Sequence, residues 1–148
     1  ALARLLGERD PATERRHFAL ALQETVQELV MKQVEVILVA PIPEQRVPAP
    51  ACIERFGDST RCLTTRVEVE TYRETTMQLL RSIKQQHPAV QLIDPLDTFC
   101  DTQYCRVGPA DALWYVDDDH LSDSGSEKLL PAFRSAITES KRRIAVMP

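Results

Sequence analysis

The 148-residue chain contains no asparagine, so no role that calls for an asparagine side chain is filled by these residues. Its longest apolar runs fall far short of the ~18 residues that a membrane-spanning helix needs. A basic excess is missing as well: 18 Lys and Arg stand against 22 Asp and Glu, a formal charge of -4. That balance gives no general attraction to nucleic acid or anionic lipid, and nucleic acid is set aside as a partner. No charged and apolar leader opens the chain, which begins at Ala1 and not at Met. It reads as a processed product or a piece of a longer protein. Internal repeats and low-complexity tracts are also lacking. What is present is an apolar fraction of 43% with mixed charge, the make-up of a soluble globular fold. The length suits one domain over residues 1–148 and is too short for two of ordinary size.

Four cysteines stand at 52, 62, 100 and 105. Two close-set pairs suit short-loop disulfides, Cys52–Cys62 and Cys100–Cys105, in an oxidising compartment. The spacings match no common zinc knuckle, and neither pair has a nearby histidine. Buried free thiols are the plain alternative.

In chain order, Asp10-Pro11 reads as an N-cap followed by proline in the first helical turn. From about Thr13 to Lys32, the residues Phe18, Leu22, Val26, Leu29 and Val30 recur at helical spacing, which predicts an amphipathic helix. Val34 to Ala40 is nearly continuous and β-branched, the composition of a strand buried on both faces of a parallel sheet. Pro41-Ile42-Pro43 ends it. Four of the ten prolines lie within 41–50, predicting a stiff connection into a disulfide-pinned surface excursion. A second helix is expected from about Val67 to His87, with Val69, Tyr72, Thr76, Leu79, Leu80 and Ile83 inward, stopped by Pro88. Val90 to Ile93 is a short strand, and residues 95–112 form a loop. The last helix is capped by Ser122 or by Ser124 with Glu127, and runs to about Arg143 with Leu129, Leu130, Phe133 and Ile137 inward. Alternating helices and strands predict an α/β layered fold with a parallel sheet. Two strong strands are few for such a sheet.

Chemistry concentrates in Trp114-Tyr115-Val116-Asp117-Asp118-Asp119-His120-Leu121-Ser122. Asp117 and His120 are close enough for one turn to set carboxylate against imidazole. There the carboxylate would fix the tautomer and stabilise the imidazolium formed when His takes a proton from a nucleophile. Asp118 or Asp119 could substitute if the turn is built differently. Three acids before a helix are also simply a solvated turn at a favourable dipole end. An EF-hand is set aside, because counting from Asp117 puts Leu121 at the fifth position and Ser122 at the sixth. His17 and His87 read as a surface residue and a helix-end residue.

Tyr-x-Asp-x-x-His-Leu-Ser-x-x-Gly, from Tyr115 to Gly125, resembles the last block of the SGNH (GDSL-type) serine hydrolases. The likeness is nearest to the SGNH domain fused behind acyltransferase-3 membrane proteins, which O-acetylate bacterial surface polysaccharides. Val36 to Glu44, Ile93 to Asp97 and the pair Cys100 and Cys105 look like the same group. The resemblance implies a three-layer α/β/α, flavodoxin-like fold of which this chain holds the C-terminal part, without the first strands. It implies a general base, His120, oriented by Asp117, with no cofactor and no metal. It also implies a cell-surface glycan acceptor, an acyl donor delivered by an attached membrane domain, and a periplasmic site as a domain of an inner-membrane protein.

In that family the nucleophilic serine stands in a Gly-Asp-Ser block after the first strand, and an asparagine helps hold the oxyanion. Gly57-Asp58-Ser59 is here, but it follows charged residues, precedes no helix and comes after the first strong strand. Ser59 is therefore expected to be a turn residue, and the serine, glycine and asparagine blocks to lie upstream. A non-catalytic glycan- or protein-binding domain on the same scaffold is the alternative. A complete esterase acting through Ser59 is a third, less economical reading. Trp114 and Tyr115 either line an acceptor site or pack in the core.

Overall fold

The computed structural model describes residues 10–146. In order, α1 spans Pro11–Met31, β1 Ile37–Val39 and α2 Ala49–Phe56, followed by one 3-10 turn at Ser59–Arg61. Then come β2 (Thr64–Thr65), α3 (Arg66–Gln86), β3 (Gln91–Ile93), α4 (Leu96–Phe99) and β4 (Tyr104–Cys105). Two helices close the chain, α5 (Asp123–Glu127) and α6 (Leu130–Val146).

The long helices begin where their caps dictate. Asp10 accepts the N–H groups of Ala12 at 3.3 Å and Thr13 at 3.1 Å, satisfying donors that the first turn leaves open. Thr65 and Glu68 form a reciprocal capping box at the start of α3. At α5 the two serine candidates are resolved in favour of Ser122, whose Oγ accepts the Gly125 N–H at 3.1 Å.

β1 and β3 pair in parallel, Ile37 with Gln91, Leu38 with Leu92 and Val39 with Ile93. Alternation along a strand turns Leu38 and Leu92 towards α1 and α3, where they meet Leu22, Met77 and Leu80. On the other face Gln91 turns to α6, its Nε2 donating to Ala136 O at 2.8 Å and Ser140 Oγ at 2.6 Å. Helices thus cover both faces of a parallel pair, an α/β arrangement. A second, antiparallel pair joins β2 to β4. Both disulfides are formed, Cys52–Cys62 and Cys100–Cys105.

Several expected details are corrected. The strand expected over Val34 to Ala40 is only three residues long. The proline-rich excursion contains α2, and its Ala49 and Cys52 are buried. On α3 the inward stripe is Val69, Arg73, Met77, Leu80 and Ile83, while Tyr72 is 72% exposed. The reason is an ion pair: Arg73 turns inward to Asp94 at the end of β3, and its neighbour one residue back, ~100° around the helix, faces solvent. On α1 Phe18 is exposed, and on α6 so are Leu130 and Ile137. Leu129 and Phe133 pack inward as expected, and Ala136 and Ser140 complete the inner stripe, at the 3–4-residue spacing of one helix face.

Candidate active site

The segment Leu113–Ser122 carries the candidate residues. Alternation sends Tyr115 inward, where it is 1% exposed, and leaves Val116 exposed. The Tyr115 hydroxyl donates to Pro43 O at 2.9 Å, and its ring meets Phe99 edge-on at 5.7 Å. Burial pushes its pKa up, which keeps it a neutral donor. The chain then doubles back. Val116 N–H donates to His120 O at 2.9 Å and Ser122 N–H to Trp114 O at 2.9 Å. Ser122 Oγ also donates to Leu113 O at 2.5 Å. The return brings Gly125 so close that a Cβ there would lie 2.0 Å from Trp114 O, so only glycine fits.

Asp117 organises the turn at the end of this loop. Its Oδ1 accepts the N–H groups of Asp119 at 3.0 Å and His120 at 2.7 Å, an Asx-type turn. Its Oδ2 lies 2.9 Å from His120 Nδ1. Asp119 Oδ1 lies 2.8 Å from the same nitrogen. Ionised carboxylates only accept, so Nδ1 carries the proton and the lone pair of the neutral ring is on Nε2. Among the described residues nothing hydrogen-bonds Nε2, and the His120 side chain is 72% exposed.

The electrostatics follow. The backbone N–H of His120, then that of Asp119, hold the Asp117 carboxyl below its ordinary pKa. The hydrogen bond that His120 donates to Asp117, followed by the charges of Asp117 and Asp119, raises that of His120. An imidazolium forming here is stabilised.

The turn is anchored to the segment that leaves β1. Gln45 N–H donates to Asp118 O at 2.8 Å and Ala49 N–H to Asp117 O at 3.0 Å. Tyr72 of α3 hydrogen-bonds Glu44 within electrostatic reach of Asp119, which raises the phenol pKa. Pro41–Gln45 follows the carboxyl end of β1, and Asp94 follows that of β3. This is the edge of a parallel sheet where ligands of open α/β folds bind. Sequence reasoning singled out Asp117 and His120, and they come together. It passed over Tyr72 and Glu44. Glu44 had a signal, as the residue closing Pro41-Ile42-Pro43 after the strand, whereas Tyr72 had none beyond an apolar stripe that pointed the wrong way.

Ser59 is a turn residue. Gly57 ends α2 in the left-handed conformation at φ 67°, and Asp58 accepts the Thr60 N–H at 2.9 Å to cap the 3-10 turn. No serine hydroxyl of the described residues hydrogen-bonds His120. The ligand atoms of Asp117, Asp119 and His120 lie within 4.8 Å of one another. A divalent cation bound there would displace the proton from Nδ1 and with it the carboxylate hydrogen bonds.

A model of the family described as SGNH domain (fused to AT3 domains) matches residues 3–135. The chain belongs to this family. No curated protein and no solved structure matches it. The match takes in both strands of the parallel pair and the Asp117–His120 turn, and makes the chain a domain of hydrolase/acyltransferase type. The family's description joins its SGNH domains to AT3 domains. Among the described residues of this SGNH domain, no helix is long and apolar enough to cross a membrane.

Proposed function

We propose that this SGNH domain supplies the Asp-His part of a Ser-His-Asp acyl-transfer centre, which moves acetyl onto a hydroxyl of a bacterial cell-surface polysaccharide. The observation that carries the reading is the Asp117 Oδ2 contact to His120 Nδ1 at 2.9 Å, which leaves Nε2 as an outward-facing base. The nucleophilic serine and the oxyanion donors come from sequence upstream of residue 1. An attached membrane acyltransferase domain delivers the donor, and the reaction takes place in the periplasm. Two disulfides suit that oxidising compartment.

In the first half-reaction the serine Oγ attacks the acyl carbonyl while Nε2 takes its proton. Collapse of the tetrahedral intermediate expels the donor's leaving group, which receives that proton, and an acyl-serine remains. The acceptor hydroxyl then attacks the acyl-serine, giving its proton to Nε2, and the departing serine takes the proton back. Asp117 holds the ring in the productive tautomer through both halves.

The test is the acetyl content of the surface polysaccharide from cells that carry His120→Ala in the full-length protein, read by proton NMR. Loss to background is expected. Unchanged acetylation, with the variant present at normal level, overturns the reading and leaves a domain that binds glycan or protein on the same scaffold.

A further inference from the structure

Two carboxylates share His120 Nδ1, and they reach it by different routes. Asp117 Oδ2 gets there within a single turn, which Asp117 Oδ1 builds by accepting the N–H groups of Asp119 and His120. Asp119 stands next to His120 in the chain, and no such turn aims its side chain. What directs it is the peptide that joins Asp118 to Asp119. That peptide is held at both ends. Its N–H donates to Asp117 Oδ1 at 3.0 Å, and its carbonyl accepts the Gln45 N–H at 2.8 Å. Because the peptide group is planar, fixing it also fixes the Asp119 Cα, and Asp119 Oδ1 lies 2.8 Å from Nδ1.

The Gln45 main chain is in turn held by the Gln45 side chain. Oε1 accepts the Thr64 hydroxyl at 3.1 Å, and Nε2 donates to Pro43 O at 3.2 Å. Pro43 O also takes the Tyr115 hydroxyl at 2.9 Å, and Thr64 Oγ1 accepts the Arg46 N–H at 3.0 Å. Pro43, Gln45, Thr64 and Tyr115 are all buried, Gln45 and Thr64 to 4% exposure. The amide uses a donor and an acceptor at once, which neither an ionised glutamate nor an apolar side chain can do. Removing it leaves buried polar groups without partners.

This network ends on the cross-linked part of the molecule. Thr64 pairs with Cys105 across the antiparallel strands and lies two residues after Cys62, so both disulfides stand behind its bond to Gln45. From the α3 side Tyr72 hydrogen-bonds Glu44, the residue before Gln45.

We propose that Gln45 is a positioning residue of the candidate site, whose buried side chain seats Asp119 beside Asp117 on His120 Nδ1. It touches no reacting atom. Two carboxylates on one nitrogen restrict the ring more than one does, in tautomer and in rotation, so Nε2 keeps one direction. The catalytic use of that direction rests on the acyl-transfer reading, whereas the seating of Asp119 does not.

The experiment follows the ring nitrogens of His120 by imidazole nitrogen NMR in the 148-residue chain, at a pH where the ring is neutral. Their shifts give the share of rings that carry the proton on Nδ1. Asp119→Ala lowers that share. Gln45→Ala lowers it as far, and the double variant no further, because the two act through one contact. Thr64→Val, which has no hydroxyl to give to Oε1, lowers it as well, and Thr64→Ser keeps the wild-type share. This second route keeps the proposal falsifiable if Gln45→Ala fails to fold. Ile83→Ala, buried in the sheet-side cluster, loses stability and leaves the share unmoved. The proposal is overturned by an unchanged share in folded Gln45→Ala or Thr64→Val, by a double variant lower than both singles, or by an equal fall in Ile83→Ala. None of these results bears on whether His120 serves acyl transfer, which is read from polysaccharide acetylation. Lost acetylation in His120→Ala together with an unmoved ring in Gln45→Ala sinks the proposal and leaves that reading standing.

Discussion

The two ends of the molecule are held together differently. Around the parallel pair, Val26, Val36, Ile83 and Val90 are buried with Leu22, Leu29 and Leu79 packed on them, and no cross-link is present there. Around Tyr115, Phe99, Val69 and Val107 the buried cluster includes all four disulfide cysteines. The first region is regular structure, helices on two three-residue strands. The second is short pieces: α2, a 3-10 turn, two-residue strands and loops. Short pieces bring little backbone pairing of their own, so covalent closure and a dense aromatic core take its place. The candidate site sits on the second region, where loops are free to carry chemistry once something else fixes them.

Helix α3 joins the two, with Val69 in the cross-linked cluster and Ile83 in the sheet-side cluster. One cooperative unit is therefore expected. Ile83→Ala, at a site with 0% exposure, should cost about 3–4 kcal/mol. In urea the midpoints by circular dichroism, dominated by the long helices, and by Trp114 fluorescence, local to the cross-linked region, should move together. Separate midpoints would show that the two regions unfold independently.

At the joint itself Arg73, 3% exposed, is paired with Asp94. Asp94→Asn strands a buried guanidinium and should cost about 3 kcal/mol, the low end for a broken buried pair because Asp94 is partly exposed. Arg73→Met in the same background should restore most of that loss. Equal stability of the single and double variants would show that the loss does not come from the stranded charge. Next in size is Cys52→Ala with Cys62→Ala. Opening a loop with a sequence separation of 10 should lower stability by about 2–3 kcal/mol. Native-state hydrogen exchange should accelerate most at Val107 and Tyr115 and least at Ile83 and Val90.

Legibility followed the same divide. α1, α3 and the parallel pair were readable because long amphipathic periods and β-branched runs are local signals. The four cysteines paired as their spacing suggested. The cross-linked region was hard to read: α2 hides behind Pro48 and Pro50, which look like a linker yet sit at a helix start. The exposure of Tyr72 depended on a contact between Arg73 and Asp94, 21 residues apart, which no window along the chain contains. The contact between Asp117 and His120 was legible because one turn holds both. The second carboxylate on Nδ1 was offered only as a substitute, because spacing does not reveal that Asp119 shares the nitrogen with Asp117.

The smallest effect concerns that shared nitrogen and is read by imidazole NMR, in which three histidines give three titrations. His120 should titrate above the ordinary value near 6.5, because Asp117 first and Asp119 second favour its charged form. The sign is that of a raised group. Its contribution to stability is full below the unfolded pKa and is lost as pH rises through the folded one. Asp117, held low, contributes in the opposite window, above the ordinary carboxylate range, and loses it as pH falls through the folded value. On the acyl-transfer reading the neutral ring is the competent base, so the acidic limb of the pH–rate profile of the full-length protein should lie above 6.5. Asp117→Asn removes the leading cause and should bring the His120 titration down, with Asp119 retaining part of the shift. Asp119→Asn should lower it less. Acyl transfer should fall far more in Asp117→Asn, by up to about 10⁴-fold if the tautomer is lost as in serine proteases. If Asp119→Asn shifts the titration as much and costs as much activity, then Asp119 and not Asp117 is the orienting carboxylate, and the cross-linked region positions its base through the middle of the turn.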